Sequence, residues 1–384
     1  MANFQRRLLL SGAVIAALSS GLLTACSDIP DVIKIGAAQP LTGKKSPQGQ
    51  DLLNGVKLAV EELNKTGFKV KGKTVKIEIV AVDDEANPDK GKIVAQQLVD
   101  AGVVAVIGHF NSGVSIAAAP IYAAKNIPQL AISTNAKFTK LGFPTTFRLV
   151  ANDTMQAKAI GSFASTNLSA GKFAVVDDNT PYGKDLAAGA AAQLELNKKE
   201  VVFKQSFDNA TTAFDGLAQK LKDGNIDVIV TTMSDFQVLA LLESLKKIDY
   251  TRIVVMGGDT IKTALMLKGV GKVAGIYASS PILELSEFPT GKEFLFKYRE
   301  AFKVDPSYAG HYTYDAVHAI TAAIKHAQSV DPKKIGDSLR KLDPYTPVLG
   351  SYKFDASGDQ RFGAIGIYQL GSGSWIPQMR SDAW

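Results

Sequence analysis

The stretch Val103–Ser115, VVAVIGHFNSGVS, constrains the fold more than any other part of the sequence. Its first half is a β-branched apolar run without polar alternation, the pattern of a strand buried on both faces, and it breaks at Gly108 into small and polar residues. An apolar segment of helical character follows through Ala117–Ala119, Pro120 and Tyr122. Asn111 and Ser112 therefore fall between the carboxyl end of a parallel strand and the amino end of the next helix. In open α/β sheets ligands bind at that junction, because free backbone N–H groups and the positive end of the helix dipole converge there. An anion suits the position, although Asn111 and Ser112 are equally good residues for capping a helix without any ligand.

The same strand-then-helix alternation runs through the chain. Strands are expected at Val32–Ala38, Val75–Val82, Ile127–Ile132, Phe173–Asp178, Val201–Phe203, Val228–Thr232 and Ile253–Met256, with helices between them, and Phe147–Val150 leads into a helix cap at Ala151–Thr154. After the first strand, Gln39–Gly43 reads as a turn and the residues through Gln48-Gly49-Gln50 as a polar loop. Two successive sets of this kind imply an α/β protein of two doubly wound parallel-sheet lobes. At 384 residues the chain is long for one core and comfortable for two. Helices at Gly291–Phe302 and Tyr312–Ala327 and a turn-rich tail of strands from Tyr352 to Tyr368 suggest that the chain returns first to lobe one and then to lobe two. The expected division is residues 30–150 with 282–354 for the first lobe and 151–281 with 355–384 for the second, joined by a multi-strand hinge.

Gly67–Thr74 satisfies the phosphate-loop pattern G-x-x-x-x-G-K-[ST] letter for letter. Its context is inverted: a helix precedes it and a strand follows, whereas cradling phosphate needs strand, loop, then helix. It is read as a lysine-rich surface turn. The formal charge of +6 is spread among interspersed residues of both signs, with no basic tail or clustering of lysine with aromatics, so nucleic acid is not an expected partner. Four scattered histidines and one cysteine make no metal set, no Ser/His/Asp or Cys/His constellation stands out, and no cofactor is expected. His109 reads as a buried hydrogen-bonding residue at the strand end, and His311 with the run Tyr308–Tyr314 as helix packing.

Residues 1–26 read as a targeting segment. Arg6-Arg7 precede an apolar run from Leu8 to Leu18 that is too short to span a bilayer, and Leu23-Thr24-Ala25 precede the sole cysteine, Cys26. A lone cysteine in an exported protein has no internal disulfide partner. The segment resembles a bacterial lipoprotein signal, which implies cleavage before Cys26 and lipid attachment to its sulfur; a simple secretory signal cleaved nearby is the alternative. Arg6-Arg7 fits twin-arginine export only loosely.

The mature chain resembles the branched-chain amino acid (leucine/isoleucine/valine) binding proteins of ATP-driven importers, with the type I periplasmic-binding fold. The resemblance rests on Pro40–Gly43, Asp83-Asp84 with Pro88, Ile107–His109 with Asn111–Gly113, Ser133–Asn135, Phe147-Arg148 with Asp153 and Gln156, Tyr182-Gly183, and Tyr314–Ala316. It implies a clamshell that closes on an amino acid. Ser112, beside Asn111, matches the serine that receives the ligand α-carboxylate, and Ser133 and Thr134 match a second contact. Tyr182 matches an aromatic that closes over the ligand. Asp259 matches a glutamate that pairs with the ligand ammonium, though Asp259 could instead cap a helix. Two positions depart from leucine-binding relatives: Gln48 stands where an aromatic meets the ligand side chain, and Met233 where a tyrosine does. The implied function is an extracytoplasmic receptor, acting as a monomer, that hands a small apolar or branched-chain amino acid to the membrane permease of an ABC importer and is held to the membrane through Cys26. A sensory receptor for amino acids or amides and an exported α/β hydrolase are the competing readings.

Overall fold

The computed structural model describes residues 29–269 and 275–383; the targeting segment and Cys26 lie outside them. The first half of the chain runs β1 (Val32–Gln39), α1 (Ser46–Thr66), a hairpin of β2 (Lys69–Val70) and β3 (Lys73–Thr74), β4 (Lys76–Asp83) and α2 (Pro88–Asp100). It continues with β5 (Ala105–Gly108), α3 (Ser112–Ala123), β6 (Gln129–Ala131) and β7 (Thr146–Arg148). The strands pair in the order β4-β1-β5-β6-β7, all parallel. Period-two alternation sorts each strand between two faces. Ile33, Ile35, Ala105 and Ile107 face one apolar core, and Ala38 and Val106 face another, shared with Leu98 of α2 and Ala118 and Tyr122 of α3.

The second set is α4 (Asp153–Asn167), β8 (Lys172–Asp177), α5 (Pro181–Leu196), β9 (Glu200–Ser206), α6 (Asp215–Asp223) and β10 (Val228–Thr231). It ends with α7 (Asp235–Lys247), β11 (Val254–Gly257), α8 (Ala264–Gly269) and β12 (Gly275–Ser280). Its parallel part has the order β9-β8-β10-β11-β12. Both sheets therefore place their second strand outside the first and reverse direction of winding between the first and third, at β1/β5 and at β8/β10. Such reversals open a crevice at the carboxyl ends of the strands.

Three helices then pack back on the first core, α9 (Gly291–Phe302), α10 (Gly310–Ala327) and α11 (Pro332–Lys341), contributing Phe294, Tyr298, Ile320, Ile324, Ile335 and Leu339. A short hairpin, β13 (Tyr345–Thr346) and β14 (Gly350–Ser351), precedes β15 (Gly366–Leu370) and β16 (Trp375–Arg380), which add to the second sheet as antiparallel edge strands on β12. The second sheet is thus mixed rather than purely parallel. The chain passes between lobes after β7, after β12 and after β14. The first and last passages are tied together where the fully buried Arg148 donates through Nε to Asp359 at 2.7 Å and Asn152 donates to the same carboxylate at 3.0 Å.

Several expectations change. Gln48-Gly49-Gln50 is no loop but the first turn of α1, because Pro47 carries a φ suited to a helix start and Gly49 lets that turn lie against the Pro40 carbonyl, where a Cβ would sit 2.0 Å away. The strands of the tail lie mostly beyond Tyr352–Tyr368, and α11, capped by Asp331, was not expected at all. Gly67–Thr74 forms a tight hairpin turning at Lys71 and Gly72, both at positive φ, so no helix amino terminus is available there to phosphate.

Candidate functional site

Between the lobes lies a cavity of about 580 Å³. Its walls are the segments that leave the carboxyl ends of the strands: Thr42–Lys45 after β1, Glu85–Pro88 after β4, Phe110–Val114 after β5 and Ile132–Thr134 after β6. From the second lobe come Asp178–Tyr182 after β8, Asp208–Ala210 after β9, Ser234 and Phe236 after β10, and Asp259 and Thr260 after β11. Tyr308, just before α10, completes the lining. Both sheet reversals therefore feed the same space.

Of the helices that begin beside this cavity, α2, α5 and α7 are closed by side chains. Asn87 accepts from Asp89 and Lys90 N–H at α2, Thr180 accepts from Gly183 N–H at α5, and Ser234 and Gln237 form a reciprocal capping box at α7. By contrast, α3 has Asn111 in the cap position but no capping hydrogen bond. Its first intrahelical bond is from Ser115 N–H to the Asn111 carbonyl, so the N–H groups before it have no helical acceptor. Ser112 Oγ accepts the Asn135 N–H at 3.2 Å and keeps its own proton to donate. Ser133 Oγ and Asn111 Oδ1 are buried without a protein partner. Free N–H groups at a helix amino terminus, with two hydroxyls beside them, make a receptor for a carboxylate.

The opposite wall holds a carboxylate. Asp259 is buried and accepts from Tyr182 hydroxyl at 2.8 Å and Gln156 Nε2 at 2.9 Å on Oδ1, and from Tyr308 hydroxyl at 3.1 Å on Oδ2. All three donors are neutral. Burial and the charge of Asp259 push the Tyr182 and Tyr308 phenols well above their ordinary range, so both remain protonated donors. Gly258 is required for this geometry, since a Cβ there would lie 2.3 Å from the Tyr182 hydroxyl. Asp259 opens a short 3-10 turn, but Gly258 occupies the cap position and no capping bond is made by a side chain. Behind it, Asp153 is fully buried at the start of α4 with both oxygens unpartnered; burial first, then the charge of Asp259, pushes its pKa up to about 8.

The structure thus brings together Asn111, Ser112, Ser133, Thr134, Tyr182 and Asp259. It separates two expected residues from them. Gln48 is buried on α1 away from the cavity, because the turn that carries it is helical and directs it into the protein. Met233 is wholly buried in the core that includes Ile229, Val238 and Ile261, the alternation that follows β10 sending it inward. Neither lines the cavity. Tyr308, read as a packing residue, instead lines the cavity, and Gln156 donates to Asp259 and orients it. His109 is a buried hydrogen-bonding residue as expected, paired with Asp84 at 2.7 Å and Tyr122 at 3.2 Å. Among the described residues there is no cluster suited to a metal ion.

A cleft between two α/β lobes, with an open helix amino terminus on one wall and a buried carboxylate on the other, has the architecture of a solute-binding protein. The chain belongs to the periplasmic binding protein family, whose model matches residues 32–374. Its relatives include Leu/Ile/Val-binding protein homolog 2 of Brucella abortus, 32% identical over 340 residues covering 85% of this chain and 87% of the relative. Leu/Ile/Val-binding protein homolog 1 of Brucella melitensis is 29% identical over 382 residues, 96% of this chain and 97% of the relative. Among solved structures, the branched-chain amino acid transporter substrate binding protein LivJ from Streptococcus pneumoniae, in complex with isoleucine, matches with a TM-score of 0.79 at 25% identity, covering 90% of this chain and 100% of that one.

Proposed function

We propose that this protein is the extracytoplasmic receptor of an ABC importer, binding a small apolar or branched-chain amino acid between its lobes and delivering it to the membrane permease. One observation carries the reading: across a single cavity, the uncapped amino terminus of α3 with Ser112 faces the Asp259 carboxylate, whose protein partners are all neutral. The first fits an α-carboxylate and the second an α-ammonium. Phe110, Ile132 and Val114 offer apolar surface beside them. The names of the Brucella relatives and the isoleucine complex of LivJ support the same ligand class.

A thermal-shift screen of the common amino acids tests this directly. Leucine, isoleucine or valine should raise Tm, by the equivalent of about 2.7 kcal/mol of stability at a hundredfold excess over Kd. No shift with any amino acid would remove the reading, and recovery of chemically altered ligand would favour a hydrolase. Anchoring through Cys26 belongs to the same proposal: Cys26→Ser should release the protein from the membrane fraction, and unchanged membrane association would exclude a lipid anchor at that residue.

A further inference from the structure

Behind Tyr308 stands a buried acid that the cavity does not contain. Asp51, on α1, is 3% exposed. Its carboxylate accepts the Tyr298 hydroxyl at 2.8 Å and the backbone N–H groups of Ser307 at 2.8 Å, Tyr308 at 3.1 Å and Gly310 at 2.7 Å. The last three belong to the segment that enters α10, whose own cap residue, Ala309, has no side chain able to cap. Asp51 supplies the cap from another helix, and its negative charge lies on the positive end of an 18-residue helix. Its position has little freedom. A Cβ on Gly55 would lie 1.9 Å from the Gly310 carbonyl oxygen, and one on Gly310 would lie 2.9 Å from that of Asp51, so α1 and α10 touch backbone to backbone. From this anchor the Tyr308 ring extends, meets Phe110 edge-on with centroids 5.2 Å apart, and reaches Asp259 of the other lobe.

We propose that Asp51 is a positioning residue for cleft closure: by gripping the Tyr308 backbone and the amino end of α10, it holds the Tyr308 hydroxyl where only a closed cleft brings it to Asp259. The proposal rests on the cavity being the ligand site. It assigns to a first-lobe residue outside that cavity a share of the affinity, exerted through Tyr308 alone.

A double-mutant cycle tests it. Asp51→Asn and Tyr308→Phe, singly and together, are compared by isothermal titration with L-isoleucine and by the radius of gyration of the ligand-free protein. Each single change should raise Kd about tenfold, the scale of one hydrogen bond, with no further loss in the double variant. The radius of gyration should increase alike in all three. Tyr298→Phe, which removes one donor to Asp51 and leaves α1 and α10 packed, should raise Kd about threefold, and only where Tyr308 is present. Losses that add in the double variant, or an Asp51→Asn protein with lower Tm but unchanged Kd and unchanged radius, would overturn the proposal. Failure of the unsubstituted protein to bind isoleucine would count against the functional reading instead, and the scattering cycle would still decide the role of Asp51.

Discussion

Asn135 Nδ2 donates to the Pro181 carbonyl oxygen at 2.6 Å, joining the loop after β6 in the first lobe to the first turn of α5 in the second. The same amide reaches Asp185 at 2.9 Å, while the Asn135 backbone N–H holds Ser112 Oγ. One residue therefore fixes a hydroxyl of the carboxylate receptor and ties the two lobes together. Asn135→Ala removes the tie and keeps the backbone contact. Two hydrogen bonds at about 0.5–1.5 kcal/mol each give an expected loss of roughly 1–3 kcal/mol in binding, with little change in Tm of the ligand-free protein. Isothermal titration and a melting curve check both halves.

Asp153 carries the clearest pH dependence. Its folded pKa of about 8 lies above the ordinary value of 3.8, so the folded state holds a proton that the unfolded chain gives up between those limits. The burden on stability is absent below about pH 4, grows as pH rises, and is complete above about pH 8. Asp153→Asn should therefore raise Tm at pH 8.5 and lose that advantage toward pH 4. A ligand ammonium near Asp259 should also draw the proton from Asp153, giving net proton release on binding near pH 7 and a binding enthalpy that changes with the ionisation enthalpy of the buffer.

Arg148 joins stability to the site. Besides Asp359, it donates to the Ser133 carbonyl oxygen and to Thr139 Oγ1 at 3.0 Å, so it holds the loop that presents Ser133 and Thr134. Arg148→Met leaves the partly buried Asp359 without its cation, and breaking a buried pair costs about 3–5 kcal/mol. Asp359 is 22% exposed, which places the expected loss at the lower end of that range. A denaturant titration measures it.

What could be read from the sequence follows from how local each signal is. The strands and the receptive end of α3 were legible because a β-branched run ending in Gly108, with Asn111-Ser112 before an alanine-rich helix, states strand, turn and helix within thirteen residues. Tyr308 was not, because its role depends on a hydrogen bond to a residue 49 positions away and on Asp51 behind it, 257 positions away. Gln48 was misplaced for a third reason. Lys44-Lys45-Ser46-Pro47 looks like loop, and only Pro47 marks the helix start. The short, highly charged α11 was passed over although its signals are local: Asp331-Pro332 marks the start, and Ile335 and Leu339, four residues apart, lie on one face.

The two displaced residues lead to opposite expectations from those the resemblance implied. Met233→Ala should cost about 2–5 kcal/mol in stability, the range for emptying a buried methionine site, without altering the order of preference among amino acids. Gln48→Ala should leave ligand preference unchanged as well. A switch in preferred amino acid in either variant, read by competition binding, would return that residue to the ligand contact set.

The most direct measurement compares Asp259→Asn with the unsubstituted protein by isothermal titration, using leucine and its α-hydroxy analogue. If Asp259 is the counter-ion of the ligand ammonium, the substitution removes one member of a buried charged pair and should cost about 3–5 kcal/mol in leucine binding. The hydroxy analogue, which lacks the ammonium, should lose far less. Equal losses for the two ligands, or leucine binding as tight as in the parent, would contradict the assignment of the ammonium site and with it the zwitterion-receptor account.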